Sequence, residues 1–294
     1  MNVSIILTYW NRLQYLERAL ATIVSQTFSK DNYEIIIIEG GDVPSDAIVD
    51  SYKEQADIRL VKLPQKQWYN MWGFPCNVGI KLAKYELIMF ANQDELWRDD
   101  ILQLLSDRHE KDDKLISYGY HVYNVNDYRA EQLPRRPTCH EIKKIQEQEA
   151  PLMNFHQGAW NWQGVIAAWE GDIYRVPFNL SCLRTEHMKA VGGFDEAFYG
   201  YGWAENDIAW RLINYGLHVE QSKSVFRLDA NTVEIRDIVG SDYAIIHLNH
   251  VFDTRVKHPN IDQNKLVYDK LHNMKKGEYL ANEGMSWGKL KGYE

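Results

Sequence analysis

Four short stretches of this 294-residue sequence carry side chains that can do chemistry. The first, Thr8-Tyr9-Trp10-Asn11-Arg12, sets aromatics beside an arginine where an apolar run gives way to a helix. An aromatic there can stack a base, and a guanidinium at a helix N-terminus can hold a phosphate. A core tyrosine and a solvated arginine are the plain alternative. The second, Phe90-Ala91-Asn92-Gln93-Asp94-Glu95, puts a carboxylate just past a buried run. A divalent cation and a diphosphate can meet at such a place, although a simple helix N-cap reads the same way. The third runs from Gly192-Gly193-Phe194-Asp195-Glu196 through Tyr201-Gly202-Trp203 into Ala204-Glu205-Asn206-Asp207 and Arg211-Leu212. Glycines and aromatics lead into a helix whose first turn carries two carboxylates. The helix dipole favours their ionised forms, which is stabilising in itself and also suits Glu205 to act as a general base. In the fourth, His247 and His250 stand three apart after an apolar strand and converge on one metal if the chain turns there. With ten histidines in the chain, an unrelated pair is the commoner case.

These groups need elements to position them. Residues 3–7, 34–39, 58–63 and 85–90 are apolar runs that read as buried strands. They alternate with helical spacing at Leu13, Leu16, Leu20, Ile23 and Val24, and over residues 45–52 and 77–84. Strands apolar on both faces and separated by helices imply a parallel sheet covered on both sides. In such sheets ligands lie beyond the carboxyl ends of the strands, just after Leu7, Ile38 and Phe90. Further on, Asp99-Asp100 opens a helix and residues 115–125 read as a strand. Residues 126–175 are polar, with Arg135, Arg136 and three indoles at Trp160, Trp162 and Trp169. So long a stretch with little periodicity is usually functional or mobile. Regular structure returns at residues 178–183 and in a helix over 205–215 closed by Gly216. The last 40 residues are Lys-rich and read as mostly helical. No repeat or clear linker divides the chain, which points to one composite domain.

Composition narrows the functions. Apolar residues make up 45% and charged residues 25%, ordinary globular usage. The net charge of −8 gives no basic face for nucleic acid. It also leaves only local, peripheral contact with an anionic membrane. Three scattered cysteines, Cys76, Cys139 and Cys182, have no metal or redox spacing and suit a reducing, cytoplasmic compartment. The opening apolar run is too short for a signal peptide or a membrane span. Ten Trp, 18 Tyr and 9 Phe are more flat faces than a core requires, and such faces suit sugar rings and bases.

Together the four stretches resemble the GT-A fold of nucleotide-sugar-dependent glycosyltransferases, family-2-like with a β-1,4-galactosyltransferase-type C-terminal motif. Residues 3–12 are similar to that family's opening strand and Ser25-Gln26-Thr27 to the end of its first helix. Residues 34–39 resemble the strand ending in an acidic base contact, and residues 77–90 lead toward its Asp-x-Asp. The run from Gly192 to Leu212 is the most specific match. The resemblance spans roughly residues 3–100 and 178–252. It implies an α/β, Rossmann-like, mostly parallel central sheet flanked by helices. Residues 1–100 would form the nucleotide-sugar half, 101–255 the acceptor-binding and catalytic half, and 256–294 a helical tail.

Carried over by position, the resemblance implies that Tyr9 stacks on uracil, Glu39 contacts the base and Arg12 the diphosphate. Thr8 and Asn92 join the nucleotide site. Asp94, at the second Asp of Asp-x-Asp, binds Mn²⁺ (or Mg²⁺) with His247 and His250. Glu205 falls at the catalytic base, Asp207 at the last acidic position and Tyr201 at the aromatic that packs on sugars. Apart from the resemblance, the aromatic segment from Trp160 to Trp169, with Trp203, is the candidate acceptor wall, and a second packed core is the alternative for Trp162 and Trp169. Asn92 departs from the first Asp of the motif and removes one charge near the metal. Ala204 removes an acid that often contacts the acceptor. The implied reaction is an inverting, metal-assisted displacement from a UDP-sugar to a glycan or glycoconjugate hydroxyl. A nucleotide-sugar-binding module that has lost activity is the rival. A nucleotidyltransferase would need a Gly-rich phosphate loop after the first strand, which this sequence lacks.

Overall fold

The central strand β1 (Val3–Tyr9) is buried at every position, as a run apolar on both sides demands. It pairs in parallel with β2 (Tyr33–Glu39) on one side and β4 (Leu87–Asn92) on the other. In a computed structural model, the residues described are 1–64, 73–118, 120–123, 133–138, 141–142, 181–198, 203–219, 244–247, 265–266, 269 and 278–290. β2 continues outward to β3 (Asp57–Lys62), also in parallel. Beyond β4 the sheet takes in β8 (Ser181–Arg184), β6 (Leu115–Tyr118) and β9 (His218–Val219), giving the order β3-β2-β1-β4-β8-β6-β9. β8 runs antiparallel to both of its neighbours, and the other six strands share one direction. The sheet is therefore mostly parallel, with a reversed strand where the long 126–175 segment returns.

Even within fully buried strands, alternation sorts side chains into two layers. Ile6, Ile36, Ile38, Ile88 and Phe90 join one apolar core with α3 (Gly73–Leu82), α5 (Thr185–Ala190) and α6 (Ala204–Tyr215). Ile5, Leu7, Tyr9, Ile35, Ile37 and Met89 face the other, packed with α1 (Leu13–Val24), α2 (Asp46–Asp50) and α4 (Ile101–Lys111). Residues from the first hundred and from beyond 180 thus share one core. The strand ends are level at one edge, where Tyr9 pairs with Glu39 and Thr8 with Asn92.

Two expectations change. Residues 115–125 are not one strand: the described residues form β6 and a separate strand, β7 (Tyr120–Tyr123). β7 leaves for a second, three-stranded sheet with β10 (Ala244–His247) and β5 (Glu95–Leu96). Nor is the tail helical throughout. Residues 265, 266 and 269 are helical, but 278–290 form turns. Asn282, Gly284 and Gly288 there have φ of 54°, 72° and 63°, in the left-handed region that a right-handed helix excludes. No helix among the described residues is long and apolar enough to cross a membrane.

Candidate active site

The turn after β1 is tied to the turn after β2. Gly40 N donates to Tyr9 O at 3.2 Å, and Val43 N donates to the Asn11 side-chain oxygen at 2.9 Å. The Tyr9 hydroxyl donates to Val43 O at 2.9 Å. Tyr9 is 0% exposed, and its ring belongs to the core. Burial, and then the Glu39 carboxylate, raise its pKa. The expectation that Tyr9 stacks on a base is therefore corrected, because its face is already covered by α1-side apolar residues. Trp10, the next aromatic, is only partly buried. Trp10 lies just past the end of β1, outside its fully buried run.

A second loop, residues 92–95, meets this one. Thr8 Oγ1 donates to the Asn92 side-chain oxygen at 3.2 Å. The Gln93 amide accepts from Trp10 N at 2.8 Å and donates to Trp10 O at 3.1 Å. Arg12, just before α1, places Nη1 2.8 Å from Asp94 Oδ2; the arginine side chain is 25% exposed and the aspartate 6%. Glu95 is buried and accepts from Asn92 N at 2.9 Å. Burial, with the neighbouring Asp94 charge, pushes its pKa well above the usual carboxylate range. The segment entering α4 is held by Gln26 and Thr27: Gln26 Nε2 donates to Arg98 O, Thr27 N donates to Asp99 O at 2.7 Å, and Gln26 Oε1 accepts from Leu102 N at 3.2 Å. Gln93 and Trp10 are functional candidates that motif reading passed over.

Glu39 lies at the same edge and is buried. Its Oε2 accepts from Ser45 N at 2.8 Å and Ser45 Oγ at 2.5 Å, which anchors the loop before α2, while Oε1 stands 3.8 Å from Lys62 Nζ.

The metal expectation rests on Asp94, His247 and His250. In the strand register His247 pairs with Glu95, so the backbone of His247 runs beside the residue next to Asp94. Carboxylate oxygen with imidazole nitrogen is a donor set that suits Mn²⁺, and the strand pairing is consistent with it. The described part of His247 is its backbone, and His250 lies outside the described residues.

The third stretch opens α6. Trp203 precedes the helix with φ of 68°, uncommon for a bulky residue, and Lys265 Nζ sits 5.3 Å from its ring centre. Glu205, in the first turn, is partly buried. Its charge reaches Cys76 in α3, whose thiol pKa is raised by burial first and Glu205 second. Asp207 has a different environment. It is fully buried, and Arg211 Nε donates to its Oδ2 at 2.8 Å. Burial raises its pKa against the opposing pull of Arg211. Asp207 is thus a structural anchor one turn from Arg211, and its expected catalytic role is corrected. Tyr201 and Trp160 lie outside the described residues. The structure pairs Thr8 with Asn92 and Arg12 with Asp94 at one edge, with Glu205 on a separate element.

Comparison with known proteins identifies the family and the fold. The family described as glycosyl transferase family 2 matches residues 4–167, more than half of the chain. The N-terminal domain of galactosyltransferase matches residues 179–234. The glycosyltransferase GlyG of Streptococcus pneumoniae is 28% identical over 244 residues, covering 81% of this chain and 77% of its own length. Validoxylamine A glucosyltransferase of Streptomyces hygroscopicus is 22% identical over 238 residues, 78% of this chain and 55% of its own. The chain spans about half the length of the two such glucosyltransferases it matches. Among solved structures, Staphylococcus aureus TarS 1-349 gives a TM-score of 0.54 at 16% identity over 76% of this chain and 59% of that one. A mannosyltransferase of Pyrobaculum calidifontis, in complex with GDP-Man and Mn²⁺, gives 0.54 at 14% identity over 94% and 65%. The fold is the GT-A arrangement. With the match to residues 4–167, the chain belongs to glycosyl transferase family 2.

Proposed function

We propose that the protein is an inverting glycosyltransferase that moves a sugar from a UDP-sugar to a hydroxyl of a glycan or glycoconjugate acceptor. The observation that carries this reading is the two side-chain pairs, Thr8 with Asn92 and Arg12 with Asp94, at the level carboxyl ends of β1 and β4. An open α/β sheet binds its ligand at such an edge. A UDP donor is supported by the likeness to TarS, which was crystallised in complex with UDP-GlcNAc.

In this reading Trp10 stacks on the base and Glu39 Oε1 meets its edge. Thr8 and Asn92 hold the ribose. Arg12, a quarter exposed on Asp94, extends its remaining donors to the diphosphate. Asp94, His247 and His250 would hold Mn²⁺ (or Mg²⁺), which when bound neutralises charge on the leaving diphosphate. Glu205 takes the proton of the acceptor hydroxyl, within about 3 Å. The acceptor oxygen bonds to the anomeric carbon from the face opposite the breaking bond to phosphate, so the configuration inverts. Trp203, with Tyr201 and Trp160, offers flat apolar faces to the acceptor. Residues 1–100 serve the nucleotide sugar, and residues 101–255 serve acceptor and catalysis. Cys76 and Cys182 are buried free thiols, which suits the cytoplasm, with peripheral membrane contact as the acceptor requires.

A thermal-shift screen of nucleotide sugars with and without Mn²⁺ tests this reading. A ligand that binds only the folded chain raises its melting temperature, by a few degrees at about 100 times its Kd. A UDP-sugar should give that rise, larger with Mn²⁺. No shift with any nucleotide sugar overturns the proposal.

A further inference from the structure

Residues 278–290 lie across the glycine-rich loop that precedes α6, and their polar contacts converge on it. The Asn282 side chain donates to Gly192 O at 2.9 Å and Phe194 O at 2.7 Å, and accepts from Glu196 N at 3.0 Å. Ala281 N donates to Val191 O at 3.0 Å, and Gly288 N donates to Glu196 Oε1 at 2.9 Å. From the opposite side Asn77 holds the same loop. It accepts from Phe194 N at 2.8 Å and donates to Phe194 O and Glu196 Oε1, both at 2.9 Å. The approach is so close that two glycines are required. A Cβ on Gly192 (φ 81°) would fall 2.2 Å from Ala281 O, and one on Gly193 (φ 70°) 2.7 Å from the Trp287 ring. Trp287 is itself pinned by Lys81 Nζ, 3.5 Å from its ring centre.

The loop is in turn bonded to α6. Arg211 donates to Val191 O at 2.8 Å and Gly193 O at 2.9 Å, and its Nε holds Asp207. Asp207 N donates back to Trp203 O at 2.9 Å, which closes the first turn that carries Glu205. A continuous path of buried hydrogen bonds therefore runs from Asn282 through the loop and Arg211 to that turn.

We propose that residues 278–290 are a strap that sets the position of Glu205, with Asn282 as its positioning residue; this rests on Glu205 being the base. Asn282 touches neither donor nor acceptor in this scheme and acts only through the loop. The test is Asn282→Gly, which removes the side chain yet keeps the φ of 54° without steric cost. Hydrogen exchange read by mass spectrometry should show amides of the first turn of α6 exchanging about tenfold faster or more, with β1 and α1 unchanged. In a transfer assay kcat should fall about tenfold or more while the donor KM stays within about twofold. Glu196→Ala, which removes the acceptor of Gly288 N but leaves Asn282 in place, should give the same exchange pattern. Glu196→Gln, which keeps Oε1, should restore it. Unchanged exchange in α6, or equal loosening of β1 and α1, overturns the proposal. The exchange readout needs no turnover. If Glu205 proves not to be the base, that failure shows in the assay and is distinct from a failure of the strap.

Discussion

Gln93 holds Trp10 at both of its backbone groups, accepting from its N at 2.8 Å and donating to its O at 3.1 Å. One side-chain amide thus does for Trp10 what a neighbouring strand does inside the sheet. It joins the loop after β4 to the loop after β1 at the edge where Thr8 meets Asn92 and Arg12 meets Asp94. Trp10 is partly buried, while Tyr9 beside it is packed wholly in the core.

The two aromatics should therefore separate by mutation. Trp10→Ala should weaken UDP binding by about 1–3 kcal/mol, the usual worth of a base–aromatic stack. Tyr9→Phe should leave UDP affinity unchanged and lower stability by about 1 kcal/mol through loss of the bond to Val43 O. Titration calorimetry with UDP and urea unfolding of both variants measure this. The reverse pattern would return the stacking role to Tyr9.

Much of this site was legible in the sequence because it sits at the ends of strands that are apolar on both faces. β1, β2 and β4 could be read from composition alone, and their ends marked Thr8, Glu39 and Asn92. The start of α6 and its Gly216 cap, with φ of 112°, were also legible. Which carboxylate faces ligand was harder. The i,i+4 spacing of Asp207 and Arg211 was a visible sign of an internal ion pair, but the burial that makes it structural comes from packing with distant segments. The second sheet depends on pairings over more than a hundred residues, which no local pattern carries. The last 40 residues read as mostly helical, while Asn282, Gly284 and Gly288 were the better guide to the turns over 278–290.

Stability should depend on pH through His109, which is fully buried in α4. Burial first, and then the Arg184 charge, lower its pKa to about 4. Unfolded, it titrates as an ordinary histidine near 6.5. Between these values the unfolded chain binds the extra proton, so this contribution is full above about pH 6.5 and is lost as pH falls toward 4. The loss amounts to about 3 kcal/mol at most. Urea midpoints of the wild type and His109→Leu across pH 4–7 should differ in slope, with the variant flatter. Equal slopes would show that His109 is not protected from protonation.

Metal dependence should reside in Asp94 and its neighbours. Chelation with EDTA should reduce transfer at least about tenfold, and added Mn²⁺ should restore it more fully than Mg²⁺. Asp94→Ala should not be rescued by either ion. Full activity after chelation would remove the cation from the account.

The central claim is that Glu205 deprotonates the acceptor. Glu205→Gln preserves size and removes the base, so transfer should fall by about three orders of magnitude or more, while nucleotide-sugar affinity measured in the same sample stays within about twofold. Turnover near that of the wild type, with the donor bound normally, would contradict the account.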